Sequence, residues 1–241
     1  MLEVRSLSAV ANGVDVVQDV DLTIGAGEVH VLFGPNGSGK SSLLKTIMGL
    51  SPFEATGGEI RLFGDDVADE SPDRRAARGV GMAFQSPPNL QGVSVSSLAT
   101  VLGAGDRLQN ALTTLDLPGF ADRQVSVGFS GGEVKRWEVA KLHLQAPRLL
   151  LLDEPDSGVD LEHVAAVAVA IDRLVRSPSE DGEPRSALIV SHTGSVIDGL
   201  EVDVGHLMVD GRLIHTGEPI ALFDHIRTNG YVAPAPATTT K

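Results

Sequence analysis

The sequence predicts an α/β fold built on a mostly parallel sheet, and three observations predict it. A glycine-rich turn, Gly34 to Ser41 reading GPNGSGKS, lies between the apolar run Val29–Phe33 and the helix-forming stretch Ser42–Met48. A second apolar run, Leu149–Leu152, ends abruptly in Asp153 and Glu154, the pattern of a strand buried on both faces. Strand-like and helix-like stretches then alternate at lengths that require crossover connections.

In chain order, apolar and polar residues roughly alternate from Leu2 to Ile24 about a turn near Asn12-Gly13, which predicts an antiparallel pair of strands. Gly58–Phe63 reads as a further strand, Ser71-Pro72-Asp73 as a helix start with proline in its first turn, and Val80–Phe84 as a short apolar strand ending at Gln85. Pro87-Pro88 then breaks the pattern. Ser94 can cap a helix through Leu102 and Asp106 another through Leu115, before Pro118-Gly119. These make a small helical insertion, which with the next helix occupies about 87–146. That helix is predicted from about Gly131 to Gln145, a strand from Arg148 to Asp153, a helix from Asp160 to Val175 and a strand from Ala187 to Ser191. Arg176–Ser186, polar with two prolines, reads as a surface loop. His206–Thr216, centred on Asp210-Gly211, reads as a hairpin, and Pro219–Thr228 as a closing helix ended by Asn229-Gly230. A single domain over 1–232 is expected, with a Pro/Ala/Thr-rich tail, 233–241, that lacks the apolar content to order itself.

The chain has 241 residues, a formal net charge of −13 and no cysteine. The acidity disfavours a broad grip on nucleic acid or anionic lipid and favours protein partners. The lack of cysteine excludes disulfides, thiolate metal sites and thiol nucleophiles. The N-terminus has no basic segment followed by an apolar core, and no stretch approaches the ~20 apolar residues of a membrane span. The expectation is a soluble, cytoplasmic protein with no direct membrane insertion.

The chemistry starts at the glycine-rich turn. Strand, glycine turn and helix N-terminus together make a phosphate-binding loop, in which Gly34, Gly37 and Gly39 let the backbone curl so that successive N–H groups face phosphate oxygens. The expected nucleotide-binding set is Gly34, Pro35, Asn36, Gly37, Ser38, Gly39, Lys40, Ser41 and Ser42. Lys40 brings positive charge to the β- and γ-phosphates, the helix dipole favours the anion, and the Ser41 hydroxyl can ligate Mg²⁺. The cofactors implied by the loop are a nucleoside triphosphate and Mg²⁺, the triphosphate being ATP by the resemblance given below. Asp153 and Glu154 stand at the carboxyl end of a buried strand, where open α/β sheets place their ligands. Asp153 is expected to hold Mg²⁺ through water, and Glu154 to orient or deprotonate the attacking water.

Phe129-Ser130-Gly131-Gly132-Glu133 is the second informative stretch. Ser130 and Glu133 form a capping box. Two glycines in a first helical turn carry no propensity advantage, since each costs about 1 kcal/mol against alanine. They make sense where an anion must approach the helix end closely.

GPNGSGKS, FSGGE, LLLLDE, Gln85 and His192 together resemble the ATP-binding-cassette (ABC) ATPases, over essentially the whole chain from Leu2 to Gly230. The resemblance implies a phosphate-loop core with an antiparallel β subdomain and a small helical subdomain. It implies a head-to-tail dimer, in which Ser130, Gly131 and Gly132 of one copy close on the γ-phosphate held by Lys40 of a second cassette. It further implies that Gln85 senses Mg²⁺ and the attacking water, that His192 hydrogen-bonds the γ-phosphate, and that Asp160 crosses the interface. The chain departs from the family at the base: no aromatic residue stands near Val14-Asp15-Val16-Val17, so apolar packing on Val16 or its neighbour is expected, with weak purine selectivity.

Within the family, Pro155–Asp160 (PDSGVD), Leu90–Ser94 and Leu222–Tyr231 are similar to the SUF-system (SufC-type) ATPases, with departures at Trp137 and Pro155. That resemblance implies a motor that works with scaffold proteins in iron–sulphur cluster assembly, the cluster ligands being on those partners. The alternatives are the nucleotide-binding subunit of a membrane permease and a slow ATP-gated clamp. Lys135, one turn into the FSGGE helix, is expected to pair with Glu154 or Asp156 as a resting latch, or else to be a solvated surface lysine.

Overall fold

The computed structural model describes residues 1–159, 161–179, 181–191, 194 and 199–234, with backbone only at 161 and 162. Asp160, His192 and all of the predicted tail but Ala233 and Pro234 lie outside these residues.

β1 (Leu2–Ala11) and β2 (Val14–Ile24) form the predicted hairpin, and β3 (Val29–Phe33) leads through the glycine turn into α1 (Lys40–Met48). β4 (Phe53–Leu62), the two-residue β5 (Asp65–Asp66), α2 (Pro72–Ala77) and β6 (Val80–Ala83) follow. The insertion holds α3 (Val95–Val101) and α4 (Gly105–Thr114), and α5 spans Gly131–Gln145. β7 (Leu149–Asp153), α6 (Leu161–Arg176), β8 (Ser186–Val190), β9 (Val204–Val209), β10 (Arg212–Gly217) and α7 (Pro219–Asn229) complete the chain.

Two sheets result: an antiparallel one ordered β2-β1-β4-β5, and a six-stranded one ordered β10-β9-β3-β8-β7-β6. In the latter every pairing is parallel except β9 with β10. The unbroken leucine run of β7 is explained by this position. Leu150 and Leu152 enter a core with α5, α6 and the insertion, while Leu149 and Leu151 enter a second core with α1 and the antiparallel sheet. With both faces covered, no position on the strand has a solvated side on which a polar residue would be favoured.

Register sets the site. Leu32 and Asp153 both pair with Val190, and Ala83 pairs with Leu152. The phosphate loop, Gln85 and Glu154 therefore leave the sheet at one level along its carboxyl edge.

Four expectations need correction. β4 begins at Phe53, five residues before Gly58, because its ladder with β1 continues through Gly57 despite the poor strand propensity of glycine. Asp106 is not the cap of α4: Ala104 holds that position, and Asp106 sits in the first turn, where the helix dipole favours a carboxylate. The loop before β8 is not all surface. Arg185 is 5 % exposed and its guanidinium donates to the carbonyls of Pro147, Leu174 and Ser177. Lys135 is 6 % exposed and makes no ion pair within 4 Å among the described residues, as described below. No helix among the described residues is long and apolar enough to cross a membrane.

Candidate functional site

The phosphate loop is closely packed. Lys40 is 5 % exposed, and its Nζ donates to the carbonyls of Gly34 and Pro35, each at 2.8 Å. That uses two of the three ammonium donors and leaves one for a phosphate. Burial lowers the Lys40 pKa, and the charges of Glu154 and Asp153 act against that. Gly39 has φ 99, and a Cβ there would run into the carbonyl oxygen of Val16, so only glycine brings the loop this close to β2. Asn36, Gly37, Ser38, Ser41 and Ser42 line the same cleft of ≈ 570 Å³, together with Val16.

Ser41 Oγ donates to Asp153 Oδ1 at 2.7 Å. Asp153 is 1 % exposed, and its Oδ2 has no hydrogen-bond partner among the described residues. Burial raises its pKa, while Ser41, Lys45 and Lys135 pull it down. An orphaned carboxylate oxygen beside a serine hydroxyl, at the end of a phosphate cradle, is an oxygen donor set suited to Mg²⁺, which completes its shell with water and phosphate. No group of three or more acidic, histidine or cysteine side chains that could hold a metal by themselves occurs among the described residues.

Glu154 is 6 % exposed and sits at φ 53, a left-handed conformation that costs a non-glycine residue about 1–3 kcal/mol and that surrounding structure must enforce. Its amide donates to Val190 O at 3.1 Å, and its Oε2 accepts from Gln85 Nε2 at 2.6 Å. Because a carboxylate only accepts, Gln85 must turn its NH₂ to Glu154, which leaves the amide oxygen to face a cation or water.

α5 holds this arrangement from behind. Glu138 Oε2 accepts the Phe84 N–H at 2.7 Å, and Lys135 Nζ donates to the Gln85 carbonyl at 2.9 Å. Lys135 is 6 % exposed. Burial lowers its pKa against the charges of Asp153 and Glu154. The expected direct latch onto Glu154 or Asp156 is thus replaced by a clamp on the backbone of Gln85. The reason is reach: Gln85 lies two residues beyond the end of β6, the strand against which α5 packs.

At the other end of α5, the capping box is complete. The Ser130 N–H donates to Glu133 Oε2 at 2.7 Å and the Glu133 N–H to Ser130 Oγ at 3.3 Å. Arg123 pairs with Glu133 at 2.9 Å and lies 4.2 and 4.5 Å from the ring centroids of Phe120 and Phe129, so the approach to the helix is stiffened. Gly131 is exposed, and among the described residues only Gly158 O, at 3.7 Å, lies near a hypothetical Cβ there and nothing lies within 4 Å of one at Gly132. The chain's own packing does not require these glycines.

The structure thus brings Lys40, Ser41, Asp153, Gln85 and Glu154 together and sets Ser130, Gly131 and Gly132 apart from them. Reading by sequence missed Gln18, which also lines the cleft. Period-two alternation from Val14 and Val16 along β2 puts it on the same face and could have found it.

Comparison with known proteins agrees. A family model described as ABC transporter matches residues 17–157. A probable ATP-dependent transporter, ycf16, of Cyanophora paradoxa is 35% identical over 234 residues, covering 90% of this chain and 88% of its own. The probable ATP-dependent transporter SufC of Escherichia coli (strain K12) is 34% identical over 248 residues, covering 96% and 97%. Among solved structures, a dimeric post-hydrolysis ATP-binding cassette bound to ADP and phosphate superposes with a TM-score of 0.77 at 22% identity, over 90% of this chain and 98% of that one. At that identity the likeness concerns the fold.

Proposed function

This chain belongs to the ABC transporter family of ATPases and is SufC-like in sequence, and from that premise we propose that it is the ATP-driven motor of a SUF-type iron–sulphur cluster assembly complex. One copy holds ATP in the cleft and a second closes on it head to tail. The observation that carries the dimer is the open N-terminus of α5, where two glycines face no atom of the described residues that would exclude a side chain. The backbone N–H groups of Gly131 and Gly132, with the Ser130 hydroxyl, meet the γ-phosphate of the other copy's ATP at the positive end of a helix.

In this reading the unit is residues 1–232 with its helical insertion at 87–146, working in the cytoplasm. Lys40 neutralises charge on the β- and γ-phosphates. Gln85 holds Glu154 through Oε2, so that the other carboxylate oxygen takes the proton of the attacking water as its oxygen bonds to the γ-phosphorus and the bond to the bridging oxygen breaks. Ser41 and Asp153 would hold Mg²⁺, which when bound neutralises charge across the phosphate oxygens. His192 on the γ-phosphate and Asp160 at the interface belong to the same proposal on the strength of the family motif order. With no cysteine in the chain, a cluster would be ligated by the scaffold partners.

A second reading, the nucleotide-binding subunit of a membrane permease, is favoured by the names of both relatives, which call them transporters. Purifying the tagged chain with native partners separates the two: soluble scaffold proteins support the first, integral membrane proteins the second. Glu154→Gln tests the motor itself. It is expected to accumulate an ATP-dependent dimer on size exclusion, and a chain that stays monomeric with ATP bound would remove the closing step.

A further inference from the structure

We infer that Gln18, positioned by Arg212, reads the nucleobase in the cleft by donating a hydrogen bond to a ring nitrogen of a purine. This rests on the reading of the cleft as a nucleoside triphosphate site and adds what selects the nucleoside. With phosphates on the loop and α1, the nucleoside must lie toward β2 and the β9–β10 turn, where the lining is Val14, Asp15, Val16, Gln18, Asp210 and Gly211. Val14 and Val16 offer an aliphatic floor with no ring to stack on. A flat base on such a floor is held out of plane but not in plane, so polar groups at its edge decide orientation and identity.

Few groups there can donate. Asp15 and Asp210 are carboxylates and accept only. The backbone N–H of Gln18 is spent on Gly211 O at 2.8 Å, and that of Gly211 on Ser38 O at 2.9 Å. Among the side chains of this lining only Gln18 can donate, and its orientation follows from chemistry. Arg212 Nη2 lies 2.9 Å from Gln18 Oε1, and a guanidinium cannot accept, so the atom facing it must be the amide oxygen. The NH₂ is then the one hydrogen-bond donor that the Gln18 side chain has for a ligand. Ring nitrogens N1, N3 and N7 of adenine are acceptors that no carboxylate can satisfy. Because Gly211 is bonded both to β2 and to Ser38, Gln18 and Arg212 are held in fixed relation to the phosphate loop. Base reader and phosphate cradle form one rigid unit.

The test is equilibrium binding of ATP, of 1-deaza-, 3-deaza- and 7-deaza-ATP, and of inorganic tripolyphosphate, to the parent, Gln18→Leu and Arg212→Met. Gln18→Leu should weaken ATP by about 3- to 10-fold, the range of one net hydrogen bond, and leave tripolyphosphate unchanged. Arg212→Met should weaken ATP by about 2- to 5-fold by freeing the amide to turn. One deaza analogue should bind the parent more weakly than ATP by the Gln18→Leu factor and lose nothing further in either variant. A merely structural role for Gln18 would weaken all three analogues as much as ATP, and that result overturns the inference, as does unchanged ATP affinity. Gln18→Met carries the same test if Gln18→Leu does not fold. A parent that binds tripolyphosphate as tightly as ATP overturns the nucleoside assignment, and one that binds neither overturns the reading of the cleft.

Discussion

The two glycine-rich helix ends of this molecule differ in what they are packed against. At the phosphate loop, a Cβ on Gly34 would meet the carbonyl oxygen of Met208, and one on Gly39 that of Val16. At the start of α5, among the described residues, a Cβ on Gly131 would find its nearest neighbour at 3.7 Å and one on Gly132 would find none within 4 Å. The first pair of glycines is explained by the chain's own backbone. The second pair is not, and the proposed dimer supplies the missing neighbour. A glycine that the fold does not need is thus a better pointer to a partner than one it does.

Substituting alanine at both ends breaks or sharpens that contrast. Gly132→Ala keeps the backbone N–H but adds a methyl that holds the γ-phosphate off it, and should cut ATP turnover by about 100-fold, the order lost when a donor no longer reaches a reacting oxygen. It should leave thermal stability unchanged or raised, since alanine favours a helix by about 1 kcal/mol. Gly39→Ala should do the reverse in kind, lowering stability by about 1–3 kcal/mol through backbone strain and contact with Val16, and weakening ATP binding more than 10-fold. Turnover, melting and ATP titration of the two variants check both, and equal destabilisation would erase the distinction.

Lys135 links the two regions, since its helix carries Gly131 and its ammonium clamps Gln85. Its charge also holds the Asp153 pKa down against burial. Lys135→Met should therefore raise that pKa further and move the acid limb of the turnover profile to higher pH by under about one unit. An acid limb at the parental pH would show that the clamp, not the charge, is its contribution.

The smallest effect concerns the sheet that carries both regions. His30 Nδ1 and His206 Nε2 are 2.9 Å apart and buried, with His30 Nε2 at 3.1 Å from Glu28 and His206 Nδ1 at 2.9 Å from Thr216. Burial, followed by His30, brings His206 down to about 3, and burial also lowers His30 against Glu28 and Asp203. Both folded values lie below the unfolded value near 6.5. The unfolded chain therefore binds more protons below about pH 6.5, and stability present above that pH is lost as pH falls toward the folded values, by up to about 1.4 kcal/mol per unit for each histidine. In urea unfolding, His206→Gln should remove about half of that acid slope, and an unchanged slope would assign it elsewhere.

Much of this was legible before the structure. GPNGSGKS, the leucine run into Asp153-Glu154 and the capping box carry their geometry in local spacing, so their elements fell where expected. What depends on distant packing was not legible. Lys135 reads as a helix-surface cation until β6 is laid against α5, and Arg185 reads as loop until Leu174 and Pro147 close over it. β4 was shortened because Gly57 and Gly58 suppress strand propensity, which the ladder with β1 overrides. Gln18 was passed over because a polar residue in an alternating strand looks solvent-facing, and only the turn at Gly211 makes that face a wall of the cleft.

The absence of native cysteine permits a direct test of the head-to-tail sandwich. Asn36→Cys in one copy and Ser130→Cys in another, both with Glu154→Gln, are mixed and oxidised with and without ATP. The account predicts a covalent dimer joining the two variants, formed in high yield only when both are present with ATP. A mixture that binds ATP yet gives no such dimer, or the same yield without nucleotide, contradicts it.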